Sequence, residues 1–403
     1  MEFALSQFVG INNRLSPENL VSVPTREVLR PDIELVTANN VDIDDAKGLA
    51  RRDGQTLKVD GSSHSLWADG QDCLYIQSGD MFQLHSDFSY TLVAAGLTAS
   101  PMSYVRANRT VYHSNGTQKG VFEDGGVRAW GIPIGASTMS AAQIVGNLDA
   151  GIYQYTLTVR DFAGRESGAG VAQRIDLPAG SGLTFSWTVP ADPDLVEVVI
   201  YLSQPNGEVM HLALVCDIAD AQASYTGGAR SLPLATQWLD APPAGETLAL
   251  YNGRIYIGSG EFLYATAPNS YEHCDLRDYK GFDGTPIAVL AAVDTGMFVG
   301  TAKAIYFMPG ASFAAQSLKR PMDTAAVRGS LVMVDGERAL AVKELAGMRC
   351  AMFATKEGIV VGMPDGSLIN LSAERYRLPD LSSGAAVFRQ TGSASQYVLC
   401  ASA

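Results

Sequence analysis

Residues 248–268 read LALYNGRIYIGSGEFLYATAP and residues 287–310 read IAVLAAVDTGMFVGTAKAIYFMPG, and these two stretches decide the fold. Each contains an apolar run, a turn, a second short apolar run, a small polar step and a third run with an aromatic residue. The turns are Asn252-Gly253 in the first stretch and Asp294-Thr295-Gly296 in the second. Asn-Gly between alternating apolar residues strongly predicts a β-hairpin, because both central positions need a positive φ. Each stretch is therefore predicted to form a meander of three short strands.

The same unit recurs elsewhere in the chain. Residues 74–84 carry an aromatic-bearing run, a turn at Ser78-Gly79-Asp80 and a further run. Later hairpins are predicted at three turns: Asp335-Gly336, Glu357-Gly358 and Asp365-Gly366. Meanders repeated at roughly 40-residue spacing are typical of β-propeller blades. We therefore expect an all-β fold with a propeller of about six blades, built from residues 37–135 and 240–403.

The two ends of the chain carry weaker signals. Residues 1–36 are predicted to be an N-terminal arm with one short helical turn, in which Ser16 is the N-cap and Pro17 the first helical residue. The two ends of a closed propeller usually meet in one blade. An N-terminal strand is therefore expected to pair with residues 396–401.

The pattern of predicted strands and turns changes between the two predicted halves of the propeller. The small and polar residues of 131–148 predict a linker, and residues 233–245 predict the return linker. Residues 146–230 between them have the strand length and turn spacing of a β-sandwich of about seven strands. No Cys…Trp…Cys pattern spans them, so the inserted domain resembles a fibronectin type III-like module rather than a disulfide-bonded immunoglobulin domain. Trp187 is interpreted as a core residue, with an exposed binding aromatic as the alternative.

Composition limits the function classes. The chain has 403 residues, of which 47% are hydrophobic and 18% charged, and its formal net charge is −13. An acidic surface argues against nucleic-acid binding as the main task, although DNA could pass an acidic wall without being held. The five cysteines show no CxxC or zinc-type spacing, and they are expected to be buried reduced thiols. We expect no signal peptide and no membrane span, and folding in a cytoplasm.

The sequence offers no pattern for chemistry. The histidines form no HxH or HExxH pair, and their positions are His64, His85, His113, His211 and His273. Residues 40–45 look like a calcium loop, but they lack the glycine and later glutamate of an EF-hand and are interpreted as a strand and turn with solvated acids. No GxSxG, phosphate loop or GxGxxG occurs. No catalytic, cofactor or metal residue is predicted, and we expect a protein that is not an enzyme.

Two further patterns have an ordinary explanation. Sequons occur at Asn108, Asn115 and Asn370, and they are interpreted as chance matches because no signal peptide is predicted. The basic doublet Arg51-Arg52 is interpreted as part of a solvated strand face, with an assembly contact as the alternative.

Three motifs together resemble a group of bacteriophage tail proteins. NNVDIDDAKGLARRDG at 39–54 is similar to their opening, where an N-V-D-I-D run is followed by a glycine and then by R-R-P-G. Asp53 departs from that pattern, which prefers proline there. TLTVRDFAGRESGAG at 156–170, followed by VVIYLSQPNGEV at 198–209, is similar to their sandwich insert. Residues 239–310 resemble their propeller segment, so that the likeness covers most of 37–310.

The resemblance implies a virion structural protein. The expected role is the tail nozzle, or tail tubular protein, at the distal end of a short tail, where a ring of copies, most often a hexamer, forms the DNA conduit. Implied partners are adjacent tail adaptor and tail fibre proteins, with viral DNA passing through without specific binding. The chain would assemble in the host cytoplasm and reside in the virion tail. The alternative from a different class is a tail-tip receptor-binding or fibre-attachment protein, with the loops of the insert as its adhesive part.

Overall fold

The computed structural model describes residues 8–20, 33–43, 48–52, 54, 56–135, 137–391 and 394–402. Within these residues strands dominate, which confirms the predicted all-β class. Helical structure there is limited to one α-helix, α1 (Gly336–Leu340), and to 3-10 turns at Pro17–Asn19, Ile218–Asp220 and Lys343–Leu345. None of the helical segments in the described ranges has the length and apolar character needed to span a bilayer.

The N-terminal region forms two small sheets. Strands β1 (Phe8–Ile11) and β2 (Ile33–Leu35) pair in parallel, and β3 (Val41–Ile43) and β4 (Leu49–Arg51) form an antiparallel pair. The 3-10 turn begins after Ser16 with Pro17 in its first position, as predicted, but the Ser16 side chain makes no capping hydrogen bond. The remainder of the predicted arm, Asp44 and Asp45 of the acidic run, and Asp53 lie outside the described residues.

Two four-stranded antiparallel sheets follow, each a meander in chain order. Sheet I contains β5 (Ser63–Ala68), β6 (Cys73–Gln77), β7 (Asp80–Leu84) and β8 (Tyr90–Ala94). Sheet II contains β9 (Ser103–Ala107), β10 (Thr110–Ser114), β11 (Lys119–Glu123) and β12 (Gly126–Arg128). The predicted turn between β6 and β7 is confirmed, because Ser78 and Gly79 both adopt positive φ.

Seven strands form the inserted unit, which we define as residues 138–225. They are β13 (Thr138–Leu148), β14 (Gly151–Asp161), β15 (Gln173–Leu177), β16 (Ser181–Thr188), β17 (Leu195–Ser203), β18 (Met210–Asp217) and β19 (Gln222–Tyr225). One sheet has the order β13-β16-β19 and the other the order β15-β14-β17-β18. Residues from both sheets, including Phe185 and Ile200, belong to one buried core.

Three more four-stranded meanders and a hairpin complete the chain. Sheet III contains β20 (Thr247–Tyr251), β21 (Arg254–Ser259), β22 (Phe262–Ala267) and β23 (Ser270–Gly281). Sheet IV contains β24 (Ile287–Val293), β25 (Gly296–Thr301), β26 (Ile305–Pro309) and β27 (Lys319–Met322). Sheet V contains β28 (Val332–Asp335), β29 (Arg349–Thr355), β30 (Gly358–Gly362) and β31 (Leu368–Asn370). Strands β32 (Ser383–Thr391) and β33 (Ala394–Ser402) form the C-terminal hairpin.

The hairpins of residues 248–268 and 287–310 form at the predicted turns. Asn252 and Gly253 connect β20 to β21 with φ of 46° and 71°, the left-handed conformation that a two-residue hairpin turn requires. Asp294 and Thr295 connect β24 to β25. One central strand of each sheet, β21 in sheet III and β25 in sheet IV, is nearly continuous in burial, which indicates that both faces are covered there.

Each sheet shares a buried apolar layer with the next sheet along the chain. Leu74 of sheet I packs in one cluster with Val111 of sheet II, and sheets II and III share a cluster around Trp130. Sheets III and IV meet in a cluster around Met297, and sheets IV and V in a cluster around Phe298. A final cluster joins sheet V to the C-terminal hairpin. The sheets therefore stack in chain order, with the inserted unit emerging between sheets II and III.

Polar contacts cross the same boundaries. Arg106 of β9 forms ion pairs with Asp69 and Asp72 of sheet I. Arg128 of β12 bonds Glu272 of β23 at 2.9 Å. These bonds satisfy charged groups at the boundaries between neighbouring sheets, where an unpaired charge would be costly.

Three local predictions are wrong. Asp335-Gly336 does not turn a hairpin: the Asp335 carboxylate accepts a hydrogen bond from Glu337 N and caps α1 instead. Most of the predicted linker at 131–148 is strand β13, whose small polar residues lie on an exposed sheet face. In the described ranges no N-terminal strand pairs with 396–401, because β33 pairs with β32 and β1 pairs with β2.

The shared cores predict a strong dependence on buried leucines. Leu263 is fully buried between sheets III and IV, whereas Leu66 on β5 is 70% exposed. We expect Leu263→Ala to lower the free energy of unfolding by about 3 kcal/mol, because it leaves a cavity. The matched control Leu66→Ala should change it by less than about 0.5 kcal/mol. Urea unfolding followed by circular dichroism measures both, and equal losses would contradict the assigned packing.

Candidate functional site

The five histidines do not converge on a site. His64 contacts Ser65, His85 contacts Thr91, and His273 lies between Ser270 and the Glu166 carbonyl oxygen. In the part of the chain that the structure describes, no three His, Cys, Asp or Glu side chains are placed to hold a metal ion.

His113 is the unusual member of this set. It is buried in sheet II beside the Tyr104 ring, and neither of its ring nitrogens has a hydrogen-bond partner. Burial lowers the pKa of His113 to about 4, so the ring is neutral at pH 7. Its cross-strand partner is Gly120, where a Cβ atom would lie 2.6 Å from the His113 Nε2 atom. The glycine is therefore required by the histidine packed over it.

The other residues that the sequence analysis singled out make contacts that stabilise the fold. Trp187 is buried in the core of the inserted unit, which confirms its interpretation. Asn115 is buried and its side-chain oxygen accepts bonds from the backbone of Thr117 and Gln118, so a sugar could not be attached there without unfolding this turn. Arg52 pairs with Asp42 at 2.7 Å.

Of the five cysteines, all unpaired, two are buried and one is exposed. Cys274 and Cys350 are buried, Cys73 and Cys216 are partly exposed, and Cys400 is exposed. The expectation of buried thiols therefore holds in full for two of the five.

A polar network joins the inserted unit to sheet III. The Glu166 carboxylate accepts hydrogen bonds from Thr158 Oγ1 at 2.6 Å, Tyr201 Oη at 2.7 Å and Arg160 Nη2 at 2.9 Å. The Glu166 carbonyl oxygen lies 2.8 Å from the His273 Nε2 atom on β23. Burial alone would raise the pKa of Glu166, but the three donors outweigh it and hold that pKa below its usual range. The carboxylate is therefore charged and fully engaged at this junction.

Arg328 brings four parts of the sheet stack together. It precedes sheet V, and its Nη2 atom lies 3.4 Å from the carbonyl oxygens of both Pro101, before sheet II, and Glu246, before sheet III. Its own carbonyl oxygen accepts a 2.8 Å bond from Gly384 N of the C-terminal hairpin. Segments that lie far apart in the chain therefore converge on one arginine. The contacting residues lie within two positions of the first residue of β9, β20 and β32.

The two ends of the chain also meet. Asn13 N donates to the Arg375 carbonyl oxygen at 2.9 Å, and Arg377 N donates to the Asn13 side-chain oxygen at 2.8 Å. Arg389 of the C-terminal hairpin lies 3.8 Å from Asp42 of the N-terminal hairpin. The predicted meeting of the chain ends therefore occurs, although through loops and ion pairs rather than through a shared strand ladder.

These contacts were not visible in the sequence. Arg328 and Asn13 belong to no motif, and Glu166 lies in the 156–170 motif without being singled out there; each of the three bonds a residue that is distant along the chain. All three residues bond protein groups. Their contacts hold the sheets and the two ends of the chain in place.

Comparison with known proteins adds little to this geometry. No protein-family model matches the sequence, and the curated proteins contain no match to it. A solved structure of PorZ, an essential bacterial surface component of the type-IX secretion system of Porphyromonas gingivalis, is similar at 11% sequence identity with a TM-score of 0.23. The match covers 89% of this chain and 55% of the PorZ chain, so this chain spans little more than half the length of PorZ. A likeness at that TM-score carries no argument about function.

The neutral buried histidine predicts a defined pH dependence. The unfolded chain takes up a proton near the ordinary pKa of 6.5, whereas folded His113 does so only near 4, so stability falls as pH is lowered through this window. We expect the loss at pH 4 to be about 3 kcal/mol and His113→Gln to remove it. The matched control His85→Gln, at an exposed position, should keep the full pH dependence. Urea unfolding at pH 7 and pH 4 measures the difference, and an unchanged slope in His113→Gln would contradict the assignment.

The lowered pKa of the Glu166 carboxyl predicts a second pH-dependent contribution to stability. Because the folded pKa of Glu166 is lowered, its stabilisation is present above the unfolded value of 4.5 and is lost as pH falls further. Glu166→Gln should lower the free energy of unfolding at pH 7 by about 1–3 kcal/mol, since three donors lose a charged acceptor. Glu197→Gln removes the other carboxylate that pairs with Arg160, at 3.2 Å and more exposed, and should cost less. Thermal unfolding at pH 7 and pH 3.5 compares them; an equal cost would argue against a special role for Glu166.

Proposed function

We propose that sheets I to V and the C-terminal hairpin are the blades of one β-propeller of about six blades. The observation that carries this proposal is the convergence on Arg328, because strands from separate sheets can meet at one residue when the sheets are arranged radially. The ordered sharing of cores and the contact between the chain ends support it. Within the described residues no sheet closes on itself, as expected when each blade is a separate sheet. The sixth blade would combine the C-terminal hairpin with N-terminal strands.

The inserted unit is, in the same proposal, a fibronectin type III-like β-sandwich. Its seven strands divide into two sheets of three and four, and both sheets contribute to one core. The insertion leaves sheet II and returns to sheet III, whose shared cluster around Trp130 is intact. The proposed division keeps 37–135 and 240–403 as the two propeller parts, and the insert, expected at 146–230, begins earlier at Thr138 because β13 belongs to it.

The proposed function follows from rigidity rather than chemistry. We infer a bacteriophage virion structural protein: a tail nozzle or hub ring, most often a hexamer, that forms the distal DNA conduit. The sequence resemblance over 37–310 suggested this role, and a stack of sheets with covered faces and joined ends suits a part that must resist pressure. The partners would be tail adaptor and fibre proteins, the location the virion tail, and the site of assembly the host cytoplasm. The proposed role requires no catalysis, metal or cofactor.

Acidic character supports passage of DNA rather than its retention. With a formal net charge of −13, the chain as a whole repels the phosphates of a duplex rather than attracting them. A wall of this kind would repel DNA in transit and leave it mobile.

The ring predicts a particular assembly. We expect the purified chain at micromolar concentrations to form a closed ring of six copies, seen by mass photometry and by electron microscopy as six-fold rings. The central opening should admit a duplex, and the ring should not retard duplex DNA even at low salt. A three-fold assembly that binds host cells would favour the alternative of a receptor-binding or fibre-attachment protein. A strictly monomeric chain, or salt-dependent DNA binding, would contradict the conduit.

A further inference from the structure

The C-terminal hairpin has fewer strands than the sheets that precede it. Sheets I to V each contain four strands in chain order, whereas β32 and β33 form a two-stranded sheet in the described part of the chain. β32 occupies the position of a first strand, because Gly384 N donates to the carbonyl oxygen of Arg328, whose side chain reaches the residues just before β9 and β20. β33 is therefore a second strand, and the positions of a third and a fourth strand lie beyond it.

The outer side of β33 presents backbone groups that pair with no strand among the described residues. All nine residues of β33 pair with β32 without a register shift. Gly384 donates away from this ladder, so its cross-strand partner Ala401 also directs its backbone N–H and C=O away from β32. These directions alternate along an antiparallel strand, and Leu399, Tyr397 and Ser395 therefore do the same. We define the β33 edge as the outward backbone groups of these four residues of β33.

The sequence of β33, ASQYVLCAS, has none of the features that protect an edge strand from other strands. Protected edges are short, bulged, or carry charged residues or proline, because an unpaired ladder recruits further strands. The last strands of sheets I to V follow this rule. β12 and β31 have three residues each, β8 and β23 have shifts in register, and β27 contains a lysine, an arginine and a proline. β33 has nine residues, no charge, no proline and no shift, which is typical of a strand that another strand covers.

The two faces of the hairpin determine which side chains an added strand needs. Phe388 and Tyr397 pack against the buried cluster of sheet V, whereas Val387 points to the opposite face and is 54% exposed. In sheet V itself the third strand, β30, is buried along almost its whole length. A strand added to β33 would lie in the corresponding place. It therefore needs apolar side chains at least at every second position.

We propose that the β33 edge binds an extended, uncharged segment of a partner protein, which adds to β33 as a third strand. The chemistry of the occupant follows from the edge itself. A row of unpaired N–H and C=O groups is complementary to another extended main chain, and the adjoining apolar faces select its alternate side chains. This mode of recognition needs no charged contact, which fits a strand without charged residues.

The described strands of this chain do not fill the position. β1 pairs with β2 and β3 pairs with β4, and the N-terminal hairpin reaches the C-terminal hairpin through the 3.8 Å contact of Asp42 with Arg389 rather than through a ladder. A second copy could offer its own β33 edge. Two such edges would pair about a twofold axis, which neighbouring copies in a six-fold ring do not share. The choice of a different protein, although not the edge, therefore rests on the proposed ring.

A synthetic peptide tests the edge directly. The probe is residues 357–363, EGIVVGM, which contain the third strand of sheet V. We expect saturable binding of the labelled peptide in a fluorescence anisotropy titration, together with protection of Ala394–Ser402 from hydrogen exchange. Two further peptides are methylated on alternate sets of backbone nitrogens, and both keep the side chains. Only one set faces β33, so one methylated peptide should bind at least about 10-fold more weakly than the other.

Matched variants of the chain test the same groups from the other side. Leu399→Pro removes an outward N–H group from the edge, whereas the control Leu399→Thr loses the same side chain and keeps the N–H. We expect the proline variant to bind the peptide at least about fivefold more weakly than the threonine variant. Ser395→Pro and Ser395→Thr form a second pair, at an exposed position, in case Leu399→Pro does not fold. Circular dichroism checks the folding of all four.

Each outcome decides the proposal. Weaker binding in the proline variants but not in the threonine variants, with protection of β33, supports strand addition at this edge. No saturation up to about 1 mM, equal binding of the two methylated peptides, or protection elsewhere overturns it. Six-copy rings that form while the peptide fails to bind leave the ring standing. A two-copy assembly that Leu399→Pro abolishes and Leu399→Thr keeps would show that a second copy occupies the edge, and it would overturn both the partner segment and the six-fold ring.

Discussion

The structure depends on the burial of each sheet face by the next sheet along the chain. The strands of a four-stranded meander satisfy each other's backbone hydrogen bonds. The meander by itself leaves both of its apolar faces exposed to solvent. The clusters around Leu74, Trp130, Met297 and Phe298 cover these faces pairwise, with each fully buried side chain contributing about 1.5–3 kcal/mol. A stack of this kind is stable along its length but has two ends. The contacts of Asn13 with Arg375 and Arg377 join the N-terminal region to the segment that follows sheet V.

Polar groups are used to fix geometry where apolar packing cannot. Apolar contact is non-directional, so it allows neighbouring sheets to slide over one another. Arg106, Arg128 and Arg328 each bond groups of another sheet at defined positions, and Glu166 and His273 do the same between the inserted unit and sheet III. Hydrogen bonds to charged groups are short and directional, and they therefore set the register between sheets. His113 is a buried polar ring without a hydrogen-bond partner, and among the described residues it shares that state with other buried polar atoms, including Tyr104 Oη and Trp187 Nε1.

At the junction between the inserted unit and sheet III, the polar groups around Glu166 are hydrogen-bonded, whereas apolar side chains on the outside are exposed to solvent. Inside, Glu166 has its donors and its pKa is lowered. Outside, Trp238, which lies before β20, remains exposed, and Arg277 is oriented by Asp275.

The sequence by itself determined the all-β class and most hairpin turns, and it indicated the strands of the insert that follow β13, because these depend on neighbouring residues. Asn252-Gly253 needs only its own φ angles to form a turn. The same local reasoning failed at Asp335, where a hairpin turn and a helix cap begin with the same residues, and at β13, where small polar residues read as a linker until β16 pairs with them. Only the tertiary structure decided the convergence on Arg328, the network of Glu166 and the exposure of Trp238. Their partners are brought together by the order in which sheets pack, and no spacing along the chain encodes that order.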